Sequence, residues 1–143
     1  MRSIQYLPQL FTVFLVSAAA AAQSPWGFPL GQRYVAVSLN GQTYSQKAPT
    51  ITIKQESERT ALAGSGFAGC NSWFGRVTLG QKQFGIDGVG TTRMFCADQM
   101  KAETGFLDAL KTVKQWRMDG DKLVLEGERT TLLLAPAAPG TPQ

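Results

Sequence analysis

The two cysteines of this 143-residue chain, Cys70 and Cys96, carry its most reactive side chains. A thiolate can act as a nucleophile, bind a metal or enter a disulfide, and its surroundings decide which. The chain contains no histidine, which excludes Ser-His-Asp and Cys-His catalysis and histidine metal sites. Arg76 and Arg93 are close to the cysteines in sequence and could activate a thiol. A thiol-dependent enzyme therefore remains an alternative.

The other candidates for chemistry have simpler explanations. Zinc is not expected, because two distant cysteines without a CxxC pair or a histidine lack the spacing of a structural zinc site. Asp119 and Asp121 could form a glycosidase-like pair, but they flank Gly120 as in a hairpin turn. We therefore predict no catalytic, metal-binding or cofactor-binding residue, no cofactor and no enzymatic activity.

The N-terminus indicates the compartment. Residues 1–22 combine a positive start at Arg2 with an apolar run that ends on alanines, as in a signal peptide. The run is shorter than the roughly 20 residues that span a bilayer. No cysteine near the cleavage point could accept a lipid, so no stable membrane anchor is expected. We predict a mature protein that begins near Gln23 and is soluble, either periplasmic or secreted.

An oxidising compartment and an even number of cysteines favour a disulfide between Cys70 and Cys96. Such a bridge would stabilise the domain by roughly 3–4 kcal/mol. It requires Cα atoms about 4.4–6.8 Å apart.

The chain carries a net charge of +4. Its charges are scattered, with no basic stripe between aromatics, so nucleic acid is not an expected partner. We predict an N-terminal linker over residues 23–30, one domain over 31–134 and a disordered Pro/Ala-rich tail over 135–143. The domain is expected to be a monomer.

Hydrophobic periodicity predicts about seven short antiparallel strands and one helix, an α+β, mainly β domain. The helix is expected over Asp98–Val113, with Asp98 as its N-cap. The last strand is expected to end at Leu134. Glycines at 64, 66 and 69 indicate a bent strand or a close approach of another backbone segment.

Asn71 allows two interpretations. Its amide could fix a ligand near Trp73 and Phe74, or it could adopt a left-handed conformation or bond nearby backbone so that Cys70 faces Cys96. The second interpretation is favoured, because asparagine beside glycine commonly forms turns. The aromatic residues are assigned mainly to the core: Trp73, Phe74, Phe84, Phe106 and Trp116.

Three blocks carry a resemblance to a known family: "GCNSWFG" from Gly69, "GTTRMFC" from Gly90, and the helix and hairpin that begin with "ETGFLDALK". In this order they resemble the META domain, the HslJ-like family of exported bacterial proteins. The matching motif residues are Gly69, Cys70, Asn71, Gly75, Thr92, Met94 and Cys96. Two departures are Tyr34, where the family usually has tryptophan, and the missing lipid-acceptor cysteine.

The resemblance implies an antiparallel sheet curled into a partly open barrel, with one helix packed against it. It also implies a link to heat shock, envelope stress and drug tolerance, without an agreed reaction. We therefore expect an exported, non-enzymatic protein that contacts an envelope protein or a small ligand. The alternatives are an inhibitor of a secreted enzyme, and a thiol-dependent or hydrolytic enzyme.

Overall fold

The computed structural model describes residues 24–57 and 61–138. The predicted signal peptide and the end of the predicted tail lie outside this part of the chain. The described residues form nine strands and one helix: β1 Arg33–Leu39, β2 Gln42–Thr43, β3 Thr50–Gln55, β4 Leu62–Phe67, β5 Ser72–Leu79, β6 Phe84–Thr91, α1 Met100–Thr112, β7 Gln115–Asp119, β8 Lys122–Glu126 and β9 Thr131–Pro136. This confirms the predicted mainly β fold.

The strands form one antiparallel sheet in the order β6-β5-β4-β3-β1-β9-β8-β7, with β2 on β1. The two outer strands meet where they begin, through a bridge between Gln83 and Gln115. The Phe84 N–H donates to the Lys114 carbonyl over 2.9 Å, beside that bridge. The sheet thus curls into the predicted partly open barrel, closed along a short seam.

Helix α1 lies against β6. Its inner face buries Glu103, Phe106, Ala109 and Leu110, because residues three and four apart share one side of a helix. The Phe106 ring meets the Trp73 ring edge to face, with centroids 6.3 Å apart. The helix therefore belongs to the same core as the sheet. Within the described residues no helix is long and apolar enough to cross a membrane.

The predicted domain boundaries are too narrow at both ends. Phe28 and Leu30, assigned to a linker, are buried in the core. Ala135 and Pro136, assigned to a disordered tail, belong to β9 and pair with β1. The N-terminal segment is packed because its apolar side chains fill the core. The C-terminal segment is ordered because its backbone pairs with β1.

The predicted helix start is also wrong. Gln99, rather than Asp98, occupies the N-cap position, and it makes no side-chain capping bond. The Gln99 N–H instead donates to the Cys96 carbonyl over 2.9 Å. A tight turn after Cys96 therefore sets where α1 begins. The close approach predicted at the glycines is confirmed at Gly66, where a Cβ would collide with the Thr50 carbonyl.

Candidate binding site around Asn71

The turn from β4 into β5 carries the first half of the motif. Gly69 has a φ of +124° in this turn, a conformation that side chains disfavour. A Cβ at Gly69 would lie 3.6 Å from the backbone of Glu103 in α1, so the turn passes directly against the helix. Gly69 therefore allows Cys70 and Asn71 to face the segment that leads into α1.

Cys70 and Cys96 form a disulfide with Cα atoms 5.9 Å apart, inside the predicted range. Cys70 is 5% exposed and precedes β5, whereas Cys96 follows β6 and precedes α1. The disulfide thus connects the loop between β6 and α1 to the turn between β4 and β5.

The Asn71 side chain uses all of its hydrogen-bonding capacity inside the protein. Its Nδ2 donates to the Met94 carbonyl over 3.0 Å and to Glu103 Oε2 over 2.9 Å. Its Oδ1 accepts from the Met94 N–H over 2.6 Å and from Thr92 Oγ1 over 3.0 Å. Two donors and two acceptors are the full set of an amide. The Asn71 side chain therefore holds the Met94 backbone in place, and it has no hydrogen-bonding group left for a ligand.

Glu103 is the residue that sequence reasoning missed. It is 4% exposed, and its Oε1 accepts from the Asn71 N–H over 2.6 Å. Burying a carboxylate is costly unless it accepts hydrogen bonds, and Asn71 supplies two. Its place in the first turn of α1 is also favourable for a negative charge. The signal was available: Glu103 interrupts the apolar stripe of the predicted helix at i+3 spacing from Met100 and Phe106.

These residues form one unit, which we call the motif cluster: Gly69, Cys70, Asn71, Thr92, Met94, Cys96 and Glu103. Gly75 is not part of it. Gly75 lies within β5 at a register shift against β6, where a Cβ would come within 2.8 Å of the Ile86 side chain. The residues of the family motif therefore fall into the motif cluster and, separately, Gly75, whose missing Cβ allows β5 to pack against Ile86.

Trp73 and Phe74 do not form a shared ligand platform, since neighbouring residues on a strand point to opposite faces. Trp73 is 1% exposed in the core, and its Nε1 donates to the Thr50 carbonyl over 3.0 Å. Phe74 is 57% exposed. Its assignment to the core is therefore wrong.

Two further apolar side chains are exposed here, one on Met94, which belongs to the motif cluster, and one on Phe95, which precedes Cys96. Met94 is 61% and Phe95 is 81% exposed, although the Met94 backbone is fixed by Asn71. Phe74 lies on the outer face of β5, two residues after Ser72, whose carbonyl accepts from the Thr92 N–H. We call the two adjacent residues Met94 and Phe95 the apolar rim.

The groups considered for chemistry in the sequence analysis have the following positions in the structure. Both thiols of the chain are consumed in the disulfide. Asp119 and Asp121 flank Gly120, whose φ of +63° places it in the turn between β7 and β8. In the described part of the chain, no three His, Cys, Asp or Glu side chains are grouped to hold a metal.

Comparison with known proteins establishes the family. The META domain model matches residues 29–139, and the chain belongs to the META domain family. A solved structure, the NMR structure of a protein from Burkholderia xenovorans, is similar with a TM-score of 0.63 at 20% identity, covering 85% of this chain and 96% of that one. A second NMR structure has a TM-score of 0.54 at 24% identity, covering 73% and 88%. These likenesses concern the fold alone. No curated protein gives a significant match.

Proposed function

We propose that this protein is an exported, non-enzymatic META domain that acts in the bacterial envelope by contacting another protein or a small ligand. Envelope stress or drug tolerance is the setting implied by the family. The signal-peptide pattern of residues 1–22 supports export. The disulfide supports it too, because such bridges persist in oxidising compartments.

The observation that carries the proposal is the apolar rim. Single exposed apolar residues are common, but groups of them mark interaction sites. Here Met94 and Phe95 are exposed on a backbone that Asn71 and the disulfide hold in place. A contact made by an already ordered segment loses little conformational entropy on binding. The motif cluster therefore supports a binding surface rather than a reaction.

Photo-cross-linking in living cells tests this proposal. A photoreactive phenylalanine analogue is placed at Phe95 and, as a matched control, at Lys54, which is exposed at the end of β3. We expect a discrete cross-linked product from position 95 that is missing from position 54. Equal products from both positions, or none from position 95, would contradict a binding surface at the apolar rim.

The compartment is tested separately. N-terminal sequencing of the protein from cells should begin within a few residues of Gln23. Soluble protein that retains Met1 would contradict export.

A further inference from the structure

The segment from Thr92 to Cys96 continues the chain beyond β6 without entering a helix or a turn. The Thr92 N–H still donates to the Ser72 carbonyl over 3.1 Å, and the backbone from Thr92 to Cys96 makes no bend. It then presents Met94 and Phe95, the latter 81% exposed. The protein thus displays a short, extended, apolar stretch of backbone to solvent.

The segment is attached to the rest of the protein at two places, Met94 and Cys96. The Asn71 amide binds both backbone groups of Met94, its N–H over 2.6 Å and its carbonyl over 3.0 Å. Two residues further on, Cys96 is tied to the buried Cys70. Phe95 therefore lies between two anchors in the chain, and its side chain remains exposed. This arrangement fixes the backbone and leaves the side chain available to a partner.

An extended segment with one prominent aromatic side chain matches the active-site cleft of a chymotrypsin-like serine protease. Such a cleft accepts extended chains, and its specificity pocket is a hydrophobic slot. Complexes of proteases with inhibitors form with little movement of the backbone. A segment that is already ordered avoids the entropic cost of binding.

We propose that Thr92–Cys96 is an inhibitory loop for serine proteases with an apolar specificity pocket, and that Phe95 fills this pocket. This inference rests on the proposed function, and it names the class of partner. A lipid surface fits less well, because Arg93 within the loop and Asp98 shortly after it carry opposite charges and do not form the cationic patch that anionic membranes attract.

In this proposal the disulfide also makes the loop resistant to cleavage. Attack by the protease serine oxygen on the Phe95 carbonyl carbon would break the bond to the Cys96 nitrogen, which takes its proton from the protease histidine. The disulfide keeps that amine beside the acyl carbon, because Cys96 cannot diffuse away. The amine then attacks the ester, the serine oxygen leaves and regains a proton, and the peptide bond forms again faster than water can hydrolyse the ester.

The test measures inhibition of chymotrypsin by the purified, oxidised protein, using a small chromogenic substrate. Trypsin is the matched control enzyme, because its pocket holds an aspartate. We expect inhibition of chymotrypsin and not of trypsin. Phe95→Asp should weaken inhibition by about 30-fold or more, as for a central anchor of an interface. Phe95→Arg should transfer inhibition to trypsin, a result that a merely structural role for Phe95 would not produce.

Three results of the inhibition assay would overturn the inference. The first is no inhibition at about 0.1 mM, far above the dissociation constants of typical protease–inhibitor complexes. The second is continuous cleavage after Phe95, which would make the protein a substrate. The third is inhibition that survives Phe95→Asp at an unchanged unfolding midpoint.

Co-sedimentation with phosphatidylglycerol vesicles that depends on Phe95 would also overturn the inference, in favour of a membrane contact. The cross-linking experiment separates this failure from that of the proposed function. A specific cross-linked product from position 95 without protease inhibition would contradict the protease as partner and would still support the binding surface. If there is no cross-linked product and no inhibition, both the proposed function and this inference are contradicted.

Discussion

The two ends of the β5–β6 hairpin are closed by different physics. At one end Phe84 faces Leu79, and at the other Thr91 faces Trp73. The first end, which we call the seam end, is filled by Phe28, Phe84 and Trp116, with the Phe28 centroid 6.1 and 5.1 Å from the other two. The second end, which we call the motif end, holds the motif cluster, in which a disulfide and the hydrogen bonds of the Asn71 amide connect the segments.

This difference between the two ends determines where apolar side chains stay exposed and available to a partner. Packing at the seam end is non-directional, so every nearby aromatic ring can contribute by being buried. Hydrogen bonds at the motif end are directional, and at Met94 they bind the backbone rather than the side chain. Met94 and Phe95 are therefore held firmly while their side chains remain exposed.

The largest effect is expected at the seam end. Phe28→Ala removes a ring that is 1% exposed, and it should destabilise the protein by about 3–5 kcal/mol, as for other buried phenylalanines. Urea unfolding followed by tryptophan fluorescence measures this loss. A loss below about 1 kcal/mol would show that residues 24–30 are only loosely attached and that the seam end does not depend on them.

The disulfide is the next test. Cys96→Ser should destabilise the protein by about 2–4 kcal/mol, because the unfolded chain is no longer constrained. It should also free one titratable thiol at Cys70 without changing the far-UV circular dichroism. If oxidised and reduced wild-type protein unfold at the same denaturant midpoint, the bridge does not stabilise the motif end, and a reactive cysteine becomes the better interpretation.

The amide network is tested by Asn71→Ala. This change leaves both backbone groups of Met94 and one oxygen of Glu103 without their partner. We expect a loss of about 2–3 kcal/mol, since each buried unpaired group costs roughly 1–3 kcal/mol and part of this is recovered by water. Thr92→Val is the matched control: it removes the hydroxyl that donates to Asn71 Oδ1 and accepts from the Ser72 N–H. We expect a loss of about 1 kcal/mol, because the Ser72 N–H is exposed and can bind water instead. Equal losses would mean that Asn71 is not the centre of the network.

The sequence predicts the seam end and the motif end to different extents. Hydrophobic periodicity predicts the strands and α1, and the even number of cysteines predicts the disulfide, because both rules depend on residue type and local spacing. The bonds of Asn71 to Met94 and Glu103 depend on distant segments meeting, so residue type alone could not assign them. Phe74 was misplaced because period two requires Trp73 and Phe74 to face opposite sides without saying which side is inner.

A stabilising change away from both ends sharpens the comparison. Gly105 lies within α1, and a Cβ there would meet only Leu39, at 3.9 Å. Gly105→Ala should therefore stabilise the protein by about 0.5–1 kcal/mol through helix propensity. The unfolding midpoint should rise equally in the wild type and in Cys96→Ser. A gain restricted to the oxidised protein would show that α1 and the bridge are energetically coupled.

The smallest effect on stability is expected at Phe95. Its side chain is 81% exposed, and substitutions of exposed residues usually change stability by no more than about 0.5 kcal/mol. Phe95→Ser should leave the urea midpoint unchanged, whereas Phe106→Ala, at 0% exposure, should cost about 3–5 kcal/mol. A large loss for Phe95→Ser would mean that this ring packs against the protein in solution. The motif end would then be closed by apolar burial like the seam end, and the ring would not be available to a partner.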